Sequence, residues 1–173
     1  MKNIIKTILL SFVVVLFTAC SPKYPDLPTT KNVDLNKYLG TWYEIARYEH
    51  FFEKGCKNVT ANYSLREDGD LNVINKCTKI ETNKETKATG VAYSTNDVNT
   101  KLKVSFFRPF WGDYWILMLA DDYSYAVVGT PSREYLWILS RTSKISEDLK
   151  NLILTKLPDL GFPTNKLIWT IQD

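Results

Sequence analysis

Between residues 41 and 141 the chain breaks into eight short runs that alternate apolar and polar side chains: 41–48, 57–66, 71–79, 87–94, 101–107, 113–119, 124–130 and 134–141. A period of two is the mark of a strand with one face buried. Turn chemistry separates the runs at Glu67-Asp68-Gly69-Asp70, Asn96-Asp97, Arg108-Pro109, Asp121-Asp122 and Pro131-Ser132. Connections this short join antiparallel neighbours as hairpins, which makes a meander. Eight strands can close on themselves around side chains or one small ligand, and closure leaves no unpaired edge. The expected fold is therefore all-β, an eight-stranded antiparallel up-and-down β-barrel. A two-sheet sandwich is the rival and needs longer crossings.

One helix and one more strand follow the barrel. Ser146 is placed as an N-cap, and Glu147 and Asp148 suit the positive end of a helix dipole. Leu149, Leu152, Ile153 and Leu157 recur at helical spacing, and Pro158 and Gly161 end the pattern. That apolar stripe predicts a helix packed on the outside of the barrel. Residues 166–171 read as a short final strand.

The start of the chain sets the compartment. Lys2 and Lys6 precede an apolar run over 8–17 broken only by Ser11. The run is too short for a comfortable membrane span of about 20 residues, and it ends in small residues as a secretory signal does. Phe17-Thr18-Ala19-Cys20 resembles a bacterial lipobox, with Phe17 where Leu, Val or Ile is usual. The resemblance implies removal of residues 1–19 and acylation of Cys20 by diacylglyceryl and palmitate groups. With Ser21 rather than Asp next in line, it implies a lipid anchor in the outer membrane, facing the periplasm. An ordinary signal peptide is the alternative. Residues 20–33, with Pro22, Pro25 and Pro28, read as a flexible tether, and 34–173 as the folded domain.

Composition narrows the function. Hydrophobic residues make up 45% and charged residues 24% of the chain, the balance of a globular domain. Without Lys2 and Lys6, 20 basic side chains face 19 acidic ones, so charge gives no reason to expect nucleic acid. One histidine, His50, and three cysteines leave little for a metal cage, and no metal or other cofactor is expected. If Cys20 carries lipid, Cys56 and Cys77 flank the 68–69 turn as an even pair in an oxidising compartment. A disulfide is expected there, with two free thiols as the alternative.

The string Gly40-Thr41-Trp42-Tyr43-Glu44-Ile45-Ala46-Arg47 resembles the Gly-x-Trp signature of the lipocalins. Asp122-Tyr123 falls where that family carries Thr-Asp-Tyr. Trp137-Ile138-Leu139-Ser140-Arg141 resembles its third signature, whose arginine packs across the barrel floor. The resemblance covers about 33–173 and is strongest to bacterial outer-membrane members. It implies that Trp42 and Arg141 are floor residues with a structural role. It also implies a binding protein rather than an enzyme, taking a fatty acid or lysophospholipid and serving storage, transport or envelope maintenance under stress.

Alternation assigns faces. Trp42 inward carries Glu44 and Ala46 inward, and Arg141 inward carries Leu139, Trp137 and Tyr135. The ligand-lining candidates are Tyr63, Val104, Phe106, Ile116, Met118, Tyr125, Val127, Trp137 and Leu139, an almost wholly apolar set suited to an acyl chain. The lower barrel near Trp42 is expected to be filled. The loops 49–56 and 107–113 belong to the open end and carry exposed aromatics, with Arg47, Lys54, Lys57 and Arg108 nearby as candidates for an anionic head group. No catalytic residues are assigned, because a Ser-His-Asp arrangement would have to use His50 in a loop. A lipocalin-fold enzyme, a pigment carrier, a fully packed barrel and a homodimer are left as alternatives.

Overall fold

The computed structural model describes residues 24–173. A four-residue helix α1 (Leu35–Tyr38) leads into β1 (Gly40–Tyr48). There follow β2 (Cys56–Leu65), β3 (Leu71–Lys79), β4 (Glu85–Ser94), β5 (Lys101–Phe107), β6 (Phe110–Leu119), β7 (Tyr125–Gly129) and β8 (Leu136–Ser140). Every pair of sequence neighbours is antiparallel, and β8 pairs back onto β1. The meander is thus a closed barrel, as the turns required. The loop expected over 107–113 is shorter: Phe107 pairs with Phe110 across Arg108-Pro109, so β6 starts three residues earlier than predicted.

Helix α2 (Glu147–Lys156) starts where its cap lies, with the Ser146 hydroxyl accepting from the Leu149 amide at 3.2 Å. It buries Ile153, and Leu157 follows it into the core, whereas Leu152 faces solvent. The last strand, β9 (Leu167–Trp169), pairs with the upper part of β1. Beyond it, Gln172 Nε2 donates to the carbonyls of Glu44 and Val59, at 2.8 and 2.9 Å. The carboxy-terminal tail therefore fills the seam where β1 and β2 diverge, since those two strands pair directly only over Gly40–Tyr43 of β1.

The core has two layers divided by the barrel wall. Inside lie Val33, Tyr38, Trp42, Tyr63, Leu71, Val73, Ala92, Leu102, Ile116, Ala126, Val128 and Leu139. Outside, under α2, lie Ile45, Ala46, Tyr48, Leu117, Val127, Leu136, Ile138, Ile153, Leu157 and Phe162. The two glycines under most constraint serve this wall. Gly40 takes φ +90° beside Arg141, and a Cβ on Gly90 would lie 2.6 Å from the Ser105 carbonyl oxygen.

Two expectations are corrected. The tether assigned to 20–33 is packed from residue 24 onward, and residues 20–23, with Cys20 and the leader, lie outside the described residues. Leu27 and Val33 are buried, Arg133 donates to the Pro25 carbonyl, and the Thr30 amide donates to the Ile116 carbonyl. The second correction concerns facing. Ala46, Met118, Tyr125 and Val127 belong to the outer layer. Bulges between Glu44 and Ala46 and between Ile116 and Met118 each insert one residue and reverse the parity beyond them. In β7, apolar on both faces, the inward pair is Ala126 and Val128, because α2 covers the other face.

Candidate functional site

The closed end is sealed by one stack. The Arg141 guanidinium lies 3.7 Å from the Trp42 ring centroid and donates to the carbonyls of Thr41, Lys37 and Tyr123. Trp42 Nε1 donates in turn to the Tyr38 carbonyl at 2.8 Å. The Asp34 carboxylate caps α1 by accepting from the Asn36 amide, which holds Tyr38 over the indole at 4.8 Å between ring centroids.

Above the floor sits a tyrosine triad. The Tyr114 hydroxyl is 2.8 Å from those of both Tyr38 and Tyr63. Burial pushes Tyr63 up to about 12 and also raises Tyr38 and Tyr114 well above the ordinary phenol value, so all three are neutral phenols that satisfy one another. Below the triad the barrel is filled, with Trp42, Leu71, Leu102 and Ile116 fully buried.

Above the triad the inner wall is open on one side. Ala88 and Thr86 of β4, Gly112 of β6 and Phe106 of β5 share the inward face with buried neighbours, yet are exposed. Val104 and Trp137 are half-buried on the same face. Asn75, paired with Ala61 and Ala88, adds an amide whose Oδ1 is buried without a partner.

The opposite side of the mouth is polar and charged, which the apolar pattern did not foretell. The bulge in β1 turns Arg47 inward beside Glu44, 3.0 Å away. Arg47 also donates to the Glu53 carbonyl and lies 3.4 Å from its carboxylate. His50 Nε2 is 2.9 Å from Glu53 Oε2, and its ring packs against Phe52, Tyr135 and Trp137. The Thr170 hydroxyl donates to Glu44, so the tail reaches this cluster. Burial, then the neighbouring Glu53 charge, pushes Glu44 up to about 8. Burial would raise Glu53 as well, but His50, Glu44 and Arg47 outweigh it and hold that carboxyl below its ordinary range.

The nine lining candidates therefore divide. Tyr63, Val104, Phe106 and Trp137 border the open upper half. Ile116 and Leu139 face inward but pack near the floor. Met118, Tyr125 and Val127 lie outside, beneath α2. Cys56 and Cys77 form a disulfide with Cα atoms 5.5 Å apart, at the upper ends of β2 and β3. Of the head-group candidates, Arg47 is committed to Glu44 and Glu53, and Lys57 pairs with Asp173 at 2.6 Å. Lys54 and Arg108 remain on the rim, Arg108 over the Trp111 ring. Among the residues missed in the sequence were Tyr38 and Tyr114, for which a hydroxyl near an inward position was the available signal, and Glu53, Thr170 and Asn75, whose approach to the mouth leaves no local mark. Outside the barrel, a surface hollow of about 820 Å³ lies between Tyr24, Tyr48, Arg133 and Leu167.

Comparison with known proteins agrees with this architecture. Residues 33–172 match the lipocalin-like domain family. The outer membrane lipoprotein Blc of Citrobacter freundii is 49% identical over 160 residues, covering 91% of this chain and 90% of that protein. The Vibrio cholerae protein of the same name is 40% identical, covering 91% and 94%. Insecticyanin from Manduca sexta shares the fold at a TM-score of 0.69 and 21% identity, with 86% of each chain covered. Sealed floor, meander topology, flanking helix and sequence identity together place this chain in the lipocalin family.

Proposed function

We propose that the protein is a membrane-anchored lipid-binding lipocalin, which takes the acyl chain of a fatty acid or lysophospholipid into the upper half of its barrel. The observation that carries this reading is the accessible inward face of Val104, Phe106 and Trp137 above a sealed floor. An apolar chain leaving water for such a wall gains about 25 cal/mol per Å² buried, with few directional demands. The tyrosine triad sets the depth: an acyl tail descends to Tyr63 and Tyr114 and stops. A cup closed at mid-height suits a single chain better than a diacyl lipid. The mechanism is reversible partitioning, with no covalent step.

The anchor belongs to the same reading. Acylation of Cys20 would place the barrel at the periplasmic face of an outer membrane; the Citrobacter freundii and Vibrio cholerae relatives are named outer membrane lipoproteins. Each buried methylene of an attached chain adds about 0.8 kcal/mol, so two or more chains hold the protein stably. The test is lipid extraction and mass spectrometry of the protein purified without detergent exchange. A monoacyl lipid at close to one per chain, on a mature mass carrying acylated Cys20, is expected. Retention of residues 1–19, or an empty barrel that also refuses added lysophospholipid, would overturn the reading.

A further inference from the structure

We propose that the open end of the barrel is a membrane-docking face, in which Phe51, Phe52, Phe107 and Phe110 insert into the interfacial zone of a phospholipid bilayer and hold the mouth against it. These four rings are 82%, 58%, 75% and 70% exposed, values that no folding or packing requirement explains. They stand as two pairs, Phe51 on Phe52 at 4.4 Å and Phe107 stacked on Phe110 at 6.2 Å, each at the tip of its own connection. The β1–β2 and β5–β6 connections are four strands apart in either direction around an eight-stranded wall, so the pairs stand on opposite sides of the mouth. The turns at the closed end carry Asp68, Asp70, Asp97, Asp121 and Asp122 instead.

The path of the amino-terminal segment supplies the partner. Tyr24, the first described residue, lies under the Arg133 guanidinium at 5.1 Å, and Arg133 belongs to the β7–β8 connection at the same open end. From there the chain runs to the closed end, where the Val33 amide donates to the Val98 carbonyl. Four residue steps separate Cys20 from Tyr24, a reach of at most about 14 Å. A lipid anchor at Cys20 (this rests on the function proposed above) therefore draws the open end of the barrel, rather than the closed end, to the bilayer. Tyr24, at the β7–β8 connection, stands between the two aromatic pairs around the mouth, so three points on the rim define one plane.

Charge does not compete with this account. The exposed cations on the open-end connections, Lys54, Lys84 and Arg108, are matched by Glu49, Glu81 and Glu134. The face is apolar and electrically balanced, so the attraction it offers is to the bilayer interface itself rather than to anionic lipid. A mouth pressed to the membrane lets an acyl chain pass between leaflet and barrel without crossing water.

Depth measurement tests this on the mature acylated protein in phosphatidylcholine vesicles, with a nitroxide attached through Phe51→Cys or Phe107→Cys, and through Glu67→Cys at the closed end as reference. Both rim labels should show several-fold higher oxygen access and several-fold lower access to a water-soluble nickel chelate than the reference. Adding anionic lipid or salt should leave the values unchanged. Rim labels as accessible to nickel as the reference would overturn the proposal. So would protection from nickel without oxygen enrichment, the signature of a second copy covering the rim. The anchor is read separately, by intact mass and by flotation with vesicles. Acylated, floating protein with its rim labels in water refutes docking alone. A chain with an unmodified Cys20 refutes the anchor, and rim labels that stay in water when it meets excess vesicles refute docking as well.

Discussion

Glu44 and Arg47 are three residues apart in β1, yet both point into the barrel, where Arg47 Nη1 meets Glu44 Oε1 at 3.0 Å. In a regular strand, residues three apart face opposite ways. The bulge between Glu44 and Ala46 brings them together. Two carboxyl groups, of Glu44 and Glu53, then share one guanidinium in a buried site, and Glu44 retains its proton up to about pH 8.

This makes stability depend on pH in a stated direction. The Glu44 carboxyl titrates near its ordinary 4.5 in the unfolded chain and near 8 in the folded one. Its contribution is fully present below the lower value and is lost as pH rises through the upper one. Urea midpoints are expected to fall between pH 5 and 8 and then level off. Glu44→Gln, which keeps the shape and cannot ionise, should flatten that slope; an unchanged slope would place its origin elsewhere.

The floor stack is a stability element. Arg141→Ala removes the contact with Trp42 and three hydrogen bonds to carbonyls, and is expected to cost about 1–3 kcal/mol. Lipid affinity should change little, because the triad separates the floor from the mouth. Chemical unfolding and a binding titration on one preparation check both statements.

The sequence carried the floor and the frame because their signals are local. Trp42 and Arg141 sit in short strings of fixed spacing, and Ser146 announces its helix with two acidic residues behind it. Inward facing was legible only as far as the period of two held. Met118 lies just past a bulge, which costs one residue and leaves no mark in composition. Tyr125 and Val127 lie in a strand apolar on both faces, where only the position of α2 decides. The segment 24–33 lacks periodicity, so the burial of Leu27 and Val33 depends on surfaces that exist only in the folded barrel.

The tail is predicted to be part of the wall rather than an appendage. Gln172 bridges the carbonyls of Glu44 and Val59 across the β1–β2 seam. Gln172→Ala should lower stability by about 1–3 kcal/mol and speed amide exchange in the upper half of β2, with β5 and β6 unaffected. Hydrogen exchange followed by mass spectrometry reads the pattern.

The Cys56–Cys77 disulfide ties the upper ends of β2 and β3, across 21 positions of sequence. Replacing both with Ser should cost about 2–4 kcal/mol by freeing the unfolded chain. Reduction of the native protein should produce the same loss, measured as a shift in thermal midpoint.

Entry of an acyl chain against the inward face above the tyrosine triad is read by titrating delipidated protein with a lysophospholipid in a calorimeter. Saturation at one lipid per barrel is expected. Trp137→Ala, the loss of one large apolar contact, should weaken binding at least about tenfold. Met118→Ala and Tyr125→Phe, beneath the helix, should bind as the native protein does. Absence of saturable binding, or equal losses at Trp137 and Met118, would rule out this site.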